Sequence, residues 1–467
     1  MSEKTKTELL KEELTYSPKH AQYVISQAEL KKGDKFCEDY IAFLNECRTE
    51  REANAYIKKL AVKNGYTAYD AKKSYKPGDK VYYDIHEKSL ILCTFGKKPV
   101  SEGTKIVAAH IDSPRLDLKP NPLYESDEIA MFKTHYYGGI KKYQWPTVPL
   151  SLHGVVYKKD GSRVDIRIGD SDGEPKFVVS DLLPHLDKQQ ADRPMNKVIK
   201  GEELNIIIGS RPYGNDPGDE LVKLNILKLL NDKYGITEAD FMSAEIEAVP
   251  AYPAVDIGID KSMIGSYGHD DRVCAYPGVM AAFAVTKPAY TTVTVVTDKE
   301  ETGSDGNTGL QSEYLKQFIA DIAESQGTAA RTALRNSECL SADVNAAYDP
   351  TFSHVFEKRN SCFINKGIVL TKYTGAGGKG GTNDANAEFV SKVRTVFDKS
   401  GTVWQTGELG KVDEGGGGTV AKYVANLGVN VVDVGVPVLS MHAPFELVAK
   451  TDVYMAFKGF KAFLESK

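Results

Sequence analysis

Two glutamates, Glu300 and Glu301, stand side by side in "DKEETGSDG", directly after the apolar run "YTTVTVVT". Like charges this close are unfavourable unless a cation sits among them or one carboxylate has a different task from its neighbour. Other chemistry-bearing residues recur after similar β-type runs. "AAHIDSP" delivers His110 and Asp112, "LSADVNAAYDP" delivers Asp343, and "PVLSMHAPFE" delivers His442. "YGHDDRVCAY" adds His269, Asp270 and Asp271 where a helix should begin. Ligand sites of open α/β sheets form beyond the carboxyl ends of the strands, so residues hundreds of positions apart can converge there. Imidazoles and carboxylates without a thiolate form a donor set suited to zinc, cobalt or manganese.

Each feature has a plainer reading beside the chemical one. On a strand, positions two apart point the same way, so Asp112 can accept a hydrogen bond from His110 and make the ring a better ligand. A strand-end histidine beside a capping aspartate would look the same. Paired aspartates at a helix start are commonly caps, and Asp271 is read that way. Asp270 gains a second role only with the other ligands present, as a carboxylate whose two oxygens bridge two cations. Neighbouring Glu300 and Glu301 point in different directions, so one can bind metal while the other accepts a proton from the attacking water. A solvated charged loop is the alternative.

The elements that must position these residues are legible in the pattern. A chain of 467 residues exceeds what one core usually organises, so two domains or a large insertion are expected. From about residue 5 to 62 apolar residues recur at helical spacing, the long run "FCEDYIAFLNECRTEREANAYIKKLAVKNGY" included. "KVYYDIHEKSLILCTFG" and "KIVAAHIDSP" read as strands. Between about 117 and 253 short β-type runs are separated by turns, with an Asp160-Gly161 hairpin signal and one amphipathic helix, "LVKLNILKLLNDKY", stopped by Gly235. Thereafter the helix "DRVCAYPGVMAAFAVT", in which Pro277 implies a kink or a late start, leads an α/β series ending in the strand "VNVVDVGVPVLSMH". "TGAGGKGGTND" and "DEGGGGTVAKY" fit no phosphate-binding pattern and are read as loops where backbone approaches a ligand or another chain, a flexible linker being an equal alternative for the first.

Composition excludes several classes. The chain is 41% hydrophobic and 26% charged, with no apolar run long enough to span a bilayer. Its N-terminal segment lacks the apolar core of a secretory signal, so a cytoplasmic protein is expected. The net charge of -5 is spread out, with no basic stripe for a phosphate backbone, so nucleic acid is not an expected partner. Six cysteines without a C-x-x-C pair argue against a disulfide framework and a thiolate metal site.

Taken together, "AAHIDSP", "YYGGI", "HDDRVCA", "DKEETGSDG", "SADV" and "PVLSMHAPFE", in this order over residues 110 to 446, resemble the aspartyl aminopeptidase family of dinuclear zinc exopeptidases. By that resemblance His110 and Asp343 would hold one zinc, Glu301 and His442 the other, and Asp270 would bridge them. Asp112 would orient His110, and Glu300 would be the general base. The resemblance also implies a central mixed sheet flanked by helices, formed by residues 1–116 and 254–467, with an inserted β-rich dimerisation domain at 117–253. It implies a homo-oligomer, a tetrahedral dodecamer with sites facing an inner chamber, acting on peptides with free N-termini. Two features depart from members that prefer acidic first residues: "PHLDKQ" keeps His185 but places Gln189 where a second histidine would fall, and "KKYQWPTVPL" replaces an Asp-Arg-containing run. Acidic and neutral first residues are therefore both open. His185 and Lys379 are the substrate-binding candidates, a structural histidine and a solvated lysine being the plainer readings. A dinuclear carboxypeptidase or amide deacylase, and an inert scaffold shell, are the rival functions.

Overall fold

The strand Thr104–His110 is buried at every position. Ile106 and Ala108 enter one apolar cluster and Val107 and Ala109 another, because successive side chains leave opposite faces of a strand. A strand buried on both faces belongs in the middle of a sheet, and that is its place in this computed structural model, which describes residues 4–467. The sheet has nine strands in the order Thr67–Ala68, Lys80–Ile85, Ser89–Thr94, Thr291–Thr297, Thr104–His110, Glu338–Ser341, Asn430–Gly435, Ile368–Thr371, Trp404–Thr406. The four from Thr291–Thr297 to Asn430–Gly435 run parallel, and antiparallel neighbours flank them on both sides. Helices His269–Ala284, Ala387–Ser400 and Lys450–Glu465 share the cluster on one face, and Tyr314–Ser325 and Ala330–Arg335 that on the other. Each fully buried Val, Leu, Ile or Phe here contributes about 1.5–3 kcal/mol.

A second sheet of seven antiparallel strands is built from the chain between Arg115 and Pro250. It encloses its own core around Leu116, Phe132, Trp145 and Ile246. The Asp160-Gly161 turn joins Leu150–Tyr157 to Arg163–Ile168, with Gly161 at φ 82°. The helix Leu221–Tyr234 ends at Gly235, in the left-handed conformation glycine tolerates best. The expected α/β architecture with a β-rich insertion is thus the observed one. Buried ion pairs tie the two parts together, among them Arg48 with Asp170 at 3.1 Å and Arg115 with Glu50 at 3.3 Å.

Two expectations change in detail, and the late start implied by Pro277 is observed. The helical run after Phe36 is two helices, Gln27–Glu46 and Glu50–Lys63, because Thr49 and Glu52 form a reciprocal capping box that starts a new one. The helix His269–Ala284 is non-helical at Asp270 and Asp271, so its regular part starts late and Pro277 falls in its second turn. The last strand stops at Gly435, and Pro437–Val438 pairs instead with Asn345–Ala346. Among the described residues no helix is long and apolar enough to cross a membrane.

Candidate metal centre

The parallel strands deliver the side chains that the sequence singled out. His110 is the last residue of its strand and pairs in register with Thr297. The chain beyond Thr297 therefore turns, at Glu300–Thr302, beside the end of the His110 strand. Asp343 follows two residues after the neighbouring strand ends at Ser341. A Cβ on Gly435 would lie 1.7 Å from the Asp343 carbonyl oxygen, so the strand Asn430–Gly435 can pass here only as glycine. Asp270 and His442 sit beside a separate three-stranded sheet: Met263–Ser266, which precedes Asp270, pairs with Glu446–Ala449, which follows His442, and this sets Ser266 opposite Glu446.

These residues form two triads that share one carboxylate. His110, Asp270 and Asp343 offer ligand atoms to one point, and Asp270, Glu301 and His442 to another. His110 Nε2 lies 3.2 Å from Asp270 Oδ1 and 3.9 Å from Asp343 Oδ1. His442 Nε2 lies 3.0 Å from the other Asp270 oxygen, Oδ2, and 3.4 Å from Glu301 Oε2. Each oxygen of Asp270 thus faces a different histidine.

The hydrogen bonds of the two rings decide what those nitrogens can be. His110 Nδ1 lies 3.0 Å from the Asp112 carbonyl oxygen, and His442 Nδ1 lies 3.0 Å from that of Gly139. A carbonyl only accepts, so each Nδ1 carries the proton and each Nε2 of a neutral ring presents a lone pair. Those lone pairs face carboxylates, and the buried Asp270 Oδ1 and Glu301 Oε1 have no hydrogen-bond donor. Oxygen and nitrogen lone pairs converging in a buried site are the donor set of a divalent cation, so the residues present fit zinc.

The charge balance agrees. Burial raises Glu301 and Asp343 well above the usual carboxylate range, and neighbouring carboxylates add to it. Burial also pushes Glu300 up to about 7, with Asp112 and Asp270 raising it further and the histidines opposing. Although burial alone would lower it, His442 is raised to about 11, because the Asp270 and Glu301 carboxylates lie beside it. Asp270 moves the other way: burial alone would raise it, but the adjoining His110 and His442 rings hold it below the usual range. The two partners tell one story, a cluster with more negative than positive charge.

Four carboxylates hold this arrangement from behind, and the sequence reading identified only one of them. Asp112 lies 3.2 Å from His110 Nδ1 and accepts the backbone N–H groups of Glu300 and Glu301, each at 3.2 Å. The expected contact with His110 exists, although the strand itself ends at His110. Asp271 is not a cap: its Oδ2 accepts the His110 backbone N–H at 3.2 Å, and it makes no capping bond to its own helix. Its start of helix is bent out of helical geometry, which turns the carboxylate towards the sheet. Glu446 was missed. Its two oxygens accept the backbone N–H of Asp270 at 3.1 Å and of His442 at 2.7 Å. Asp298, buried and bonded to Thr308 Oγ1 at 2.7 Å, anchors the turn that carries the glutamates. The only local signal for Glu446 was its place in "PVLSMHAPFE".

A cavity of about 390 Å³ opens over the triads and is lined by Glu300, Glu301, Asp343 and His442. Both glycine-rich stretches border it, through Thr374, Gly381 and Gly416 to Thr419. They also touch each other: a Cβ on Gly416 would sit 2.4 Å from Ala376 Cα. The substrate candidates are not brought here. Lys379 pairs with Asp384 at 2.9 Å and lies over the Tyr373 ring, and His185 sits in an exposed turn of the insertion. A cavity of similar size, about 420 Å³, lies at the sheet edge against Tyr16, Arg394 and Trp404. It holds no imidazole, so the chemistry belongs to the first.

Comparison with known proteins agrees with this geometry. The model of the family described as "Aminopeptidase I zinc metalloprotease (M18)" matches residues 43–464. The chain belongs to the M18 family. It is 50% identical over 442 residues to "Probable M18 family aminopeptidase 1" of Clostridium acetobutylicum, covering 93% of this chain and 94% of that protein. The crystal structure of an M18 aminopeptidase from Thermotoga maritima superposes with a TM-score of 0.92 at 40% identity, over 97% of this chain and 100% of that one. The S. cerevisiae mApe1 dodecamer, 20% identical, shares the fold with a TM-score of 0.76 over 93% of this chain and 97% of that one. As an M18 member this protein is a zinc metalloaminopeptidase, an exopeptidase that hydrolyses peptides, as the resemblance in the sequence implied.

Proposed function

We propose that this protein removes N-terminal residues from peptides with two divalent ions held by His110, Asp270, Asp343, Glu301 and His442, and with Glu300 as general base. The observation that carries the reading is the sharing of Asp270 between two histidine-carboxylate triads at the floor of one cavity. Bound there, two ions would polarise the scissile carbonyl, anchor the free amino group and favour attack by water. Zinc is the family's metal; cobalt and manganese suit the same ligands.

Three observations support Glu300 as the proton acceptor. It borders the cavity, its Oε2 lies 3.8 Å from His110 Nε2, and Asp112 fixes its backbone. Its carboxyl, pushed up to about 7 first by burial, is a proton acceptor matched to neutral solution. Glu301 points the other way, to His442, as the division of labour between the two glutamates requires. Asp112 keeps the His110 ring and both glutamate amides in place without touching substrate.

The fold shared with the S. cerevisiae dodecamer supports a homo-oligomer of the same kind, with residues 117–253 as the dimerisation domain and residues 1–116 and 254–467 carrying catalysis. Six buried, unpaired cysteines fit a reducing, cytoplasmic setting.

The test is a panel of chromogenic substrates carrying Asp, Glu, Leu, Ala or Lys, run on chelator-stripped protein refilled with zinc, cobalt or manganese. Cleavage restored by metal and abolished by N-acetylation supports the reading and ranks the first residues. Hydrolysis of N-acetylated substrates would replace it with a deacylase.

A further inference from the structure

Both metal histidines lean on one short piece of the inserted domain. The strand Ile129–Tyr137 ends in the turn Gly138-Gly139. Tyr137 Oη donates to Asp112 Oδ2 at 2.8 Å; that oxygen also accepts the Glu301 amide, and Asp112 Oδ1 lies 3.2 Å from His110 Nδ1. Two residues on, the Gly139 carbonyl accepts from His442 Nδ1 at 3.0 Å. Glycines leave room for so close an approach. A Cβ on Gly138, at φ 76°, would sit 3.3 Å from the Glu301 Cβ, and one on Gly139 would sit 3.2 Å from His442 Nδ1.

The Tyr137 ring is itself clamped at the junction of the two sheets. The Arg115 guanidinium lies 3.9 Å from its centroid. Arg115 is Tyr137's register partner on the adjacent strand, and it reaches Glu50 of the helical layer at 3.3 Å and Glu247 of the insertion at 3.2 Å. All three charged side chains are buried, so the ring has little freedom to move.

From these contacts we infer that Tyr137 and Gly139 are positioning residues through which the inserted domain sets metal affinity, Tyr137 at both positions by way of Asp112, which holds His110 and the Glu301 amide, and Gly139 at the His442 position alone. The inference rests on the two-ion reading of the site. The partner of a ligating histidine's other nitrogen fixes its tautomer and orientation, and losing such outer partners costs about 10–100-fold in metal affinity. Tyr137 acts one bond further out than Gly139, through Asp112.

The experiment is a zinc titration of the full-length, chelator-stripped protein against a competing chromogenic chelator, with melting temperature and mass by light scattering measured alongside. The parent should bind two ions per chain. Tyr137→Phe should weaken both dissociation constants by about 10-fold and Gly139→Ala only one of them by at least that, with melting temperature and assembly unchanged. Two ions bound with unaltered affinities in both single variants would overturn the inference, as would weakening of both ions by Gly139→Ala. Should Tyr137→Phe not fold, Gly139→Ala decides alone by whether it weakens a single ion. A parent that binds fewer than two ions would instead overturn the metal-centre reading, and the inference with it.

Discussion

Replacing Glu300 by Gln isolates the proposed base from the ligands around it. The amide has the same shape, and the bond that places this residue, its backbone N–H to Asp112 Oδ1, does not involve the side chain. Neither triad contains Glu300, so both metal positions keep their ligands. What disappears is a proton acceptor. General base catalysis contributes about 10²–10⁴-fold, or roughly 3–5 kcal/mol of the barrier. A carboxyl pushed up to about 7 works near its optimum at neutral pH, so a fall of about 10³-fold in kcat is expected, with KM little changed. The sign with pH follows from the same group. A protonated carboxyl cannot accept a proton, so the parent should lose activity as pH falls through the Glu300 pKa, and the residual activity of Glu300→Gln should lack that limb. Steady-state kinetics from pH 5 to 9 on a chromogenic substrate, with zinc content per chain measured on the same samples, tests this. A kcat within about 10-fold of the parent at full zinc content would refute Glu300 as the base.

Glu446→Gln leaves one of two backbone N–H groups, of Asp270 or His442, facing an amide donor. Because Asp270 is shared, both ions should bind about 10–100-fold more weakly in chelator competition; unchanged affinities would sink this account of Glu446. Zinc binding should release protons, because the metal-free site holds His442 protonated up to about 11 and Glu300 up to about 7. Calorimetry near pH 7 in two buffers of different ionisation enthalpy measures the number, and a heat independent of buffer would contradict the charge balance described above. Phe460, fully buried on the helix Lys450–Glu465 in the cluster shared with the helix of Asp270, should cost about 3–5 kcal/mol when replaced by Ala. Urea unfolding gives the value, and a loss below about 1 kcal/mol would mean that this face does not carry the core.

Short-range features of this protein could be read from its residues. Gly235 ends a helix and Asp160-Gly161 closes a hairpin because the conformations required there favour those residue types whatever the surroundings. Small and β-branched runs ending in His110, Asp343 and the Glu300-Glu301 pair marked the carboxyl ends of strands, and parallel neighbours bring such ends together. The helix break at Thr49 was as local as these, yet the continuous apolar period through Cys47 masked its capping box.

Tertiary structure decided the rest, because the groups involved act on partners far away along the chain. Asp271 was read as a cap, since an aspartate at a helix start satisfies its own amides in most contexts; here a bend turns it to the His110 amide, 161 residues away. Glu446 meets the Asp270 amide across 176 residues because two short strands pair. Gly139 reaches His442 across 303 residues, from a different sheet. Residue types therefore declared which ligands exist. Only packing determined which nitrogen of each ring faces inward, which oxygen of Asp270 serves each histidine, and which backbone holds them there.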